Sequence, residues 1–188
     1  MFTSAHGDLA INDYMCSTLV ADPGAISPTR FHNSVHNAAA GYWTIGTGCM
    51  QASTALTAYL HSFAHGLLEA ASQCISDQRP ILLVAYDIAA VGPLASATTS
   101  RSMLAVAMVL AHERGPRSVG RLDWQLKPAS NAPLGAASAA AQALAVNAIA
   151  DCLPLLEAVA KGADFSLELP LGESLALQLE WKTCDESA

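Results

Sequence analysis

The chain has 188 residues and a formal net charge of −7, is 52% hydrophobic and carries only 13% charged residues, against about 25% in an ordinary soluble domain. That length supports one domain with a core of its own, and the acidic balance argues against nucleic-acid binding, which needs basic faces. So little charge on so apolar a chain predicts a face buried against another subunit.

Met1-Phe2-Thr3-Ser4 leads into Ala5-His6-Gly7-Asp8 as the end of a strand entering a loop. Leu9, Ile11, Tyr14, Met15, Leu19 and Val20 then recur at helical spacing over residues 9–20, and Asp22-Pro23-Gly24 ends that helix with turn residues. Ser27-Pro28-Thr29 reads as a second break. A helix is expected from about Asn33 to Ile45, with Val35, Ala39, Tyr42 and Trp43 near one face, stopped by Gly46 and Gly48. Ala52 to Ala58 reads as a short buried strand. Leu60, Phe63, Ala64, Leu67, Leu68 and Ala71 mark the next helix. After a loop at Ser76–Pro80, the apolar run Ile81–Tyr86 has the pattern of a strand covered on both faces. These elements make a β-α-β unit, whose parallel crossover is expected to be right-handed.

Met103 to Ala111 predicts a second fully buried strand, and residues 112–117 a turn. Val119 to Lys127 alternates as a half-exposed strand expected to run antiparallel to the one before it. Residues 128–135 read as loop and Ala136 to Ala150 as an alanine-rich helix, broken or restarted at Asp151-Cys152-Leu153-Pro154 and ended by Gly162. Phe165–Leu169 and Leu175–Trp181 alternate on either side of Pro170-Leu171-Gly172-Glu173, which predicts a closing hairpin. The fold class is α/β: a mixed sheet covered by helices, then a C-terminal helix and β-hairpin. No repeat or linker divides the chain, so one domain is expected over residues 1–188.

The five cysteines, Cys16, Cys49, Cys74, Cys152 and Cys184, are odd in number and widely spaced, with no CxxC. No secretory leader pattern opens the chain, and the expectation is reduced thiols in a cytoplasm. Met103–Ala111, the longest apolar run, is far short of the roughly 20 residues that span a bilayer. His32 with His36, and His61 with His65, are spaced i, i+4, which places each pair on one helix face at metal-ligand spacing. Neither pair has the glutamate of a zinc hydrolase motif, and packing with hydrogen bonding is the expected role. There is no GxSxG and no Walker A, and Gly46-Thr47-Gly48 lacks the rest of a dinucleotide loop. No cofactor or metal is expected. Ser96–Ser102 reads as a solvated loop. Arg101, Arg114, Arg117 and Arg121 form the one basic cluster in sequence and read as solvated loop charges.

The run SPTRFHNSVHNAAAGYW, with the later SFAHGLLEA, resembles the β-ketoacyl synthase N-terminal-like family. Its short members accompany type II fatty acid, polyketide and aryl polyene synthases, and some resemble chain length factors. The resemblance covers residues 2 to 127, leaving 128–188 as an extension. It implies half of a thiolase-like fold with the nucleophile at a strand-to-helix corner, and more chain ahead of residue 1. Asn37, Ala40-Gly41, Thr44-Ile45, Gly48 and Ser53 follow the family's order. The corner reads Ala58-Tyr59-Leu60-His61-Ser62, without cysteine. Counting from Ser53 places Leu60 at the nucleophile position, or Tyr59 if the register slips by one. Cys49 lies too early and reads as a small buried hydrophobe. The family's two catalytic histidines come from a second half that this chain is not expected to hold.

The resemblance therefore implies a catalytically silent subunit of the chain length factor type, paired with an active β-ketoacyl synthase or with itself and in reach of an acyl carrier protein. The family pairs its pre-corner strand across a two-fold axis. Carried over, Ser53, Thr54 and Leu56 would lie at the interface, and Tyr59, Leu60 and Phe63 at a partner's acyl channel. Two alternatives stay open: an acyl-handling enzyme with altered chemistry at Tyr59, His61 or Ser62, and a self-associating structural protein.

Overall fold

The computed structural model describes residues 1–130 and 138–184. Residues 131–135 of the expected loop and the first two residues of the helix expected from Ala136 lie outside them.

Strand β1 (Phe2–Thr3) is followed by α1 (Leu9–Ala21), whose first turn is capped by the Asp8 carboxylate accepting the Ala10 and Ile11 N–H groups at 3.0 and 3.1 Å. A 3₁₀ turn, Pro23–Ala25, ends that segment. Ser27-Pro28 turns out to start a helix rather than break one. Ser27 caps α2 (Pro28–Asn33), and Pro28 sits in the first turn, where a missing N–H costs nothing. The helix expected over 33–45 starts later, as α3 (Ala38–Thr47), and Asn33 is the last residue of α2. Asn33, Ser34 and Asn37 lie at the join, where short polar side chains compete with helical backbone bonds. Ser34 bonds its hydroxyl back to the Phe31 carbonyl at 2.8 Å. Gly46 lies inside α3, and only Gly48, at φ 64°, stops it.

Strand β2 (Ala55–Leu56) leads through a 3₁₀ turn, Tyr59–His61, into α4 (Ser62–Asp77), and Gln78 closes the helix in the left-handed region. Strands β3 (Ile81–Asp87) and β4 (Leu104–Leu110) follow. The first sheet has the order β2-β1-β3-β4, with β1 parallel to both neighbours and β4 antiparallel. The β2-α4-β3 crossover therefore steps over β1. Two burial expectations need correction. β2 is two residues long and half-buried, because it lies at the sheet's edge. β4, also an edge, buries only one side: Leu104, Val106, Met108 and Leu110 face the core while Ala105, Ala107 and Val109 are exposed.

Strand β5 (Gly120–Pro128) does not pair with β4. It pairs antiparallel with β7 (Leu175–Thr183), which also pairs with β6 (Phe165–Pro170), so the expected hairpin grows into a second, three-stranded sheet. Cross-strand pairs of large side chains, Leu122 with Trp181 and Trp124 with Leu179, set that register. The alanine-rich helix, α5 (Ala139–Leu144), stops early. Asn147 ends it by spending its side chain on the Ser102 carbonyl at 2.9 Å and the Ile149 N–H at 3.1 Å. A 3₁₀ turn, Ala150–Cys152, then restarts the chain as α6 (Leu153–Lys161).

One hydrophobic cluster joins Phe63, Leu67, Ala70 and Cys74 of α4 to Leu83 of β3, Leu153 and Leu155 of α6, and Leu169, Leu177 and Leu179 of the second sheet. Helix α4 lies so close to β1 that a Cβ on Gly66 would sit 2.7 Å from Thr3 Cγ2. In an open helix Gly→Ala stabilises by about 1 kcal/mol, whereas overpacking costs about 1–3 kcal/mol. Gly66→Ala is accordingly expected to lower the urea midpoint, and a raised midpoint would show that the α4–β1 contact yields.

Candidate functional site

The strand-to-helix corner is built by three hydrogen bonds. Ser62, fully buried, donates its Oγ to the Tyr59 carbonyl at 2.7 Å and accepts the Ala58 N–H at 3.0 Å. The Ser62 carbonyl accepts the Thr3 hydroxyl at 2.9 Å, which anchors the corner on β1. The serine hydroxyl is thereby committed to structure. The turn between puts Tyr59 at φ 53°, a region that costs a non-glycine residue roughly 1–2 kcal/mol.

Of the residues expected here, Tyr59 is 53% exposed and Leu60 is 40% exposed, while Phe63 is at 0% in the core beneath them. Ser53 is exposed, and Thr54 and Leu56 are half-buried. The backbone of β2 bonds β1 through Phe2 N–H to the Thr54 carbonyl at 2.8 Å and Ser4 N–H to the Leu56 carbonyl at 3.3 Å. Its other side has no strand among the described residues. Cys49 follows α3, half-buried rather than buried.

Beside the corner, the His6 ring meets the Tyr59 ring edge to face, with centroids 5.4 Å apart at 74°. His6 Nε2 is shielded from solvent and without a hydrogen-bond partner. Behind it, buried Asp87 accepts the Ala5 N–H at 2.8 Å and the Ser4 hydroxyl at 3.3 Å. Burial raises the Asp87 carboxyl above its ordinary range, and the bonds from Ala5 and Ser4 offset part of that. The expected solvated loop at Ser96–Ser102 is corrected in part. Thr98 and Ser100 are buried, Ser100 Oγ accepts the Ala148 N–H at 3.0 Å, and Arg101 is held by the carbonyls of Ala95 and Thr98.

One histidine of each pair is hydrogen-bonded to a backbone carbonyl. His36 Nε2 donates to the Ser4 carbonyl at 3.0 Å and His65 Nε2 to the Leu171 carbonyl at 2.8 Å. His32 and His36 do not share a helix, because α2 ends between them. Burial first, and His65 second, lower the His61 pKa. Below the corner, Asp151 of the 3₁₀ turn faces the first turn of α4, its Oδ2 accepting the Ala64 N–H at 3.3 Å.

The family model described as β-ketoacyl synthase, N-terminal domain, matches residues 1–168. The chain belongs to this family. The ketosynthase-like fold is matched by a solved structure from Xenorhabdus doucetiae, a ketosynthase (ApeO) in complex with its chain length factor (ApeC). The likeness has a TM-score of 0.70 at 24% identity, over 96% of this chain and 67% of that one. No curated protein matches the chain. Among the described residues no helix is long and apolar enough to cross a membrane.

Sequence reasoning on this ketosynthase-family chain missed His6 and Asp151. Neither sits in a local motif, and only β1 and the 3₁₀ turn before α6 carry them to the corner. The strained Tyr59 was visible only as one of two register choices. Because its cost is conformational, Tyr59→Val is expected to be less stable than Tyr59→Gly by roughly 1–2 kcal/mol, read from urea denaturation of the two variants. Equal midpoints would show that the corner relaxes.

Proposed function

We propose that this chain is a catalytically silent, ketosynthase-like subunit of the chain length factor type, pairing with an active β-ketoacyl synthase in fatty acid, aryl polyene or polyketide assembly. One observation carries the reading. The corner at the head of α4 has a strained backbone, with Tyr59 at φ 53°, and neither Leu60, the expected nucleophile position, nor Tyr59, its alternative if the register slips by one, is a cysteine. A leucine has no nucleophilic atom, and a phenol needs strong activation to act as one.

The free side of β2 supports pairing, since an uncovered strand edge presents backbone donors and acceptors for another chain. Trp43, Tyr42, Ile45 and Met50 are exposed large apolar groups on and just after α3, and apolar surface of that extent marks interaction sites. In such a pair Tyr59 and Leu60 would close the end of the partner's acyl channel, with Phe63 packed behind them. Ser53, Thr54 and Leu56 would lie along the shared edge. An acyl carrier protein would visit the pair, the chain would act as one domain, and the cytoplasm is its compartment.

A second reading, acyl handling with altered chemistry, draws on the His6–Tyr59 contact, which puts an imidazole beside the exposed phenol. Mass spectrometry after incubation with acyl-carrier substrate separates the two, because a silent subunit gains no acyl adduct.

Leu60→Ala and Tyr59→Ala are expected to lengthen the products of a reconstituted pair with a ketosynthase encoded beside this chain, read by product mass. An unchanged distribution counts against the channel role, and failure to co-purify counts against the pairing. Phe63→Ala is a poorer probe, since emptying a fully buried site costs about 3–5 kcal/mol of stability.

A further inference from the structure

Asp151 is a buried carboxyl with no cation. It is 8% exposed, and no salt bridge reaches it among the described residues. Its Oδ2 accepts one backbone N–H, that of Ala64 in the first turn of α4, and its Oδ1 is shielded from solvent without a partner. A buried carboxylate left half-satisfied is costly, whereas the protonated acid carries no charge to desolvate.

The surroundings offer no cation among the described residues. Cys152, next along the turn, is itself buried, and burial with the neighbouring Asp151 pushes its thiol up to about 12, so it stays neutral. On α4, His65 is bonded to the Leu171 carbonyl, and His61 is drawn toward its neutral form by burial and by His65. Asp87 of β3 is engaged by Ser4 and Ala5. The second sheet and α6 present Leu169, Leu177, Leu153 and Leu155 to the same core. Ala64 itself follows Ser62, the residue that holds the corner.

We propose that buried Asp151 is a proton-operated latch: protonated, it lets the Ala150–Cys152 turn and α6 pack against the head of α4, and ionised, its charge in the core loosens that packing. The inference goes beyond the pairing proposed above and concerns this chain alone. Burial raises the Asp151 carboxyl to about 7, with the amides of Ala64, Asp151 and Cys152 opposing the rise. Once released into water the same carboxyl ionises near 3.9. Closure is therefore favoured below about pH 4, weakens as pH rises from there to about 7, and is constant above, where both states are ionised.

The test is amide hydrogen exchange of α6 in the full chain between pH 4.5 and 8.5, corrected for intrinsic exchange. In the unaltered chain the opening of α6 is expected to increase roughly tenfold for each pH unit up to about 7 and then level off. Asp151→Asn keeps an acceptor for Ala64 and is expected to remove the slope with α6 closed throughout. Asp151→Ala removes the acceptor and is expected to show raised opening without a slope. A flat profile in the unaltered chain overturns the latch without any variant having to fold. The same slope persisting in Asp151→Asn also overturns it. Because no partner is present, either result is independent of the pairing with a ketosynthase.

Discussion

The apolar face of α4 is the constraint on which the rest of the structure depends. Phe63, Ala64, Leu67 and Ala70 are at most 1% exposed, and burying a large apolar side chain is worth about 1.5–3 kcal/mol. The first sheet, α6 and the second sheet all contribute to the cluster around that face. Where α4 begins is therefore where the chain must turn, and the Ser62 and Thr3 hydrogen bonds hold the corner there.

Beneath the apolar layer runs a polar one that fixes the ends of the strands. Thr3, Ser4, Ser62, Asp87, Ser100 and Asn147 are all buried, and each spends its side chain on a named backbone, hydroxyl or carboxylate partner. Buried polar groups satisfied in this way specify one arrangement, because each alternative leaves a donor or acceptor unpaired. Asn147 and Ser100 bind the 97–102 segment to the turn before α6, so the loop at the strand ends is part of the core. Four buried polar atoms among the described residues are left over, His6 Nε2, Arg79 Nε, Asp151 Oδ1 and Trp181 Nε1, and two of them, on His6 and Asp151, belong to residues that contact the corner.

That distribution is what the proposed silent subunit would need. The strain at Tyr59 and the hydrogen bonds of Ser62 maintain a corner whose exposed residues are a phenol and an aliphatic side chain. Beside it lies an open strand edge. In the proposed pair such a corner would act by volume, because packed interiors resist even one added methylene.

The sequence by itself determined the family, the helix of α4, the strand β3, the alternation of β5, β6 and β7, and the absence of cysteine from the corner. Each of these is written in local periodicity or in a motif. Tertiary structure alone decided that β5 pairs with β7, since alternation reveals which face is buried but not which strand lies alongside. It also decided that β2 and β4 are edges, because an apolar strand reads alike whether one side or both are covered. The start of α2 was legible in Ser27 and Pro28 but was read as a break instead of a cap, and Asn33, read as the start of a helix, is the end of α2. His6 and Asp151 came to the corner only through folding: they lie 53 residues before Tyr59 and 87 after Ala64 along the chain. Sequence spacing carries no record of such neighbours, because their approach is set by the packing of the elements between them.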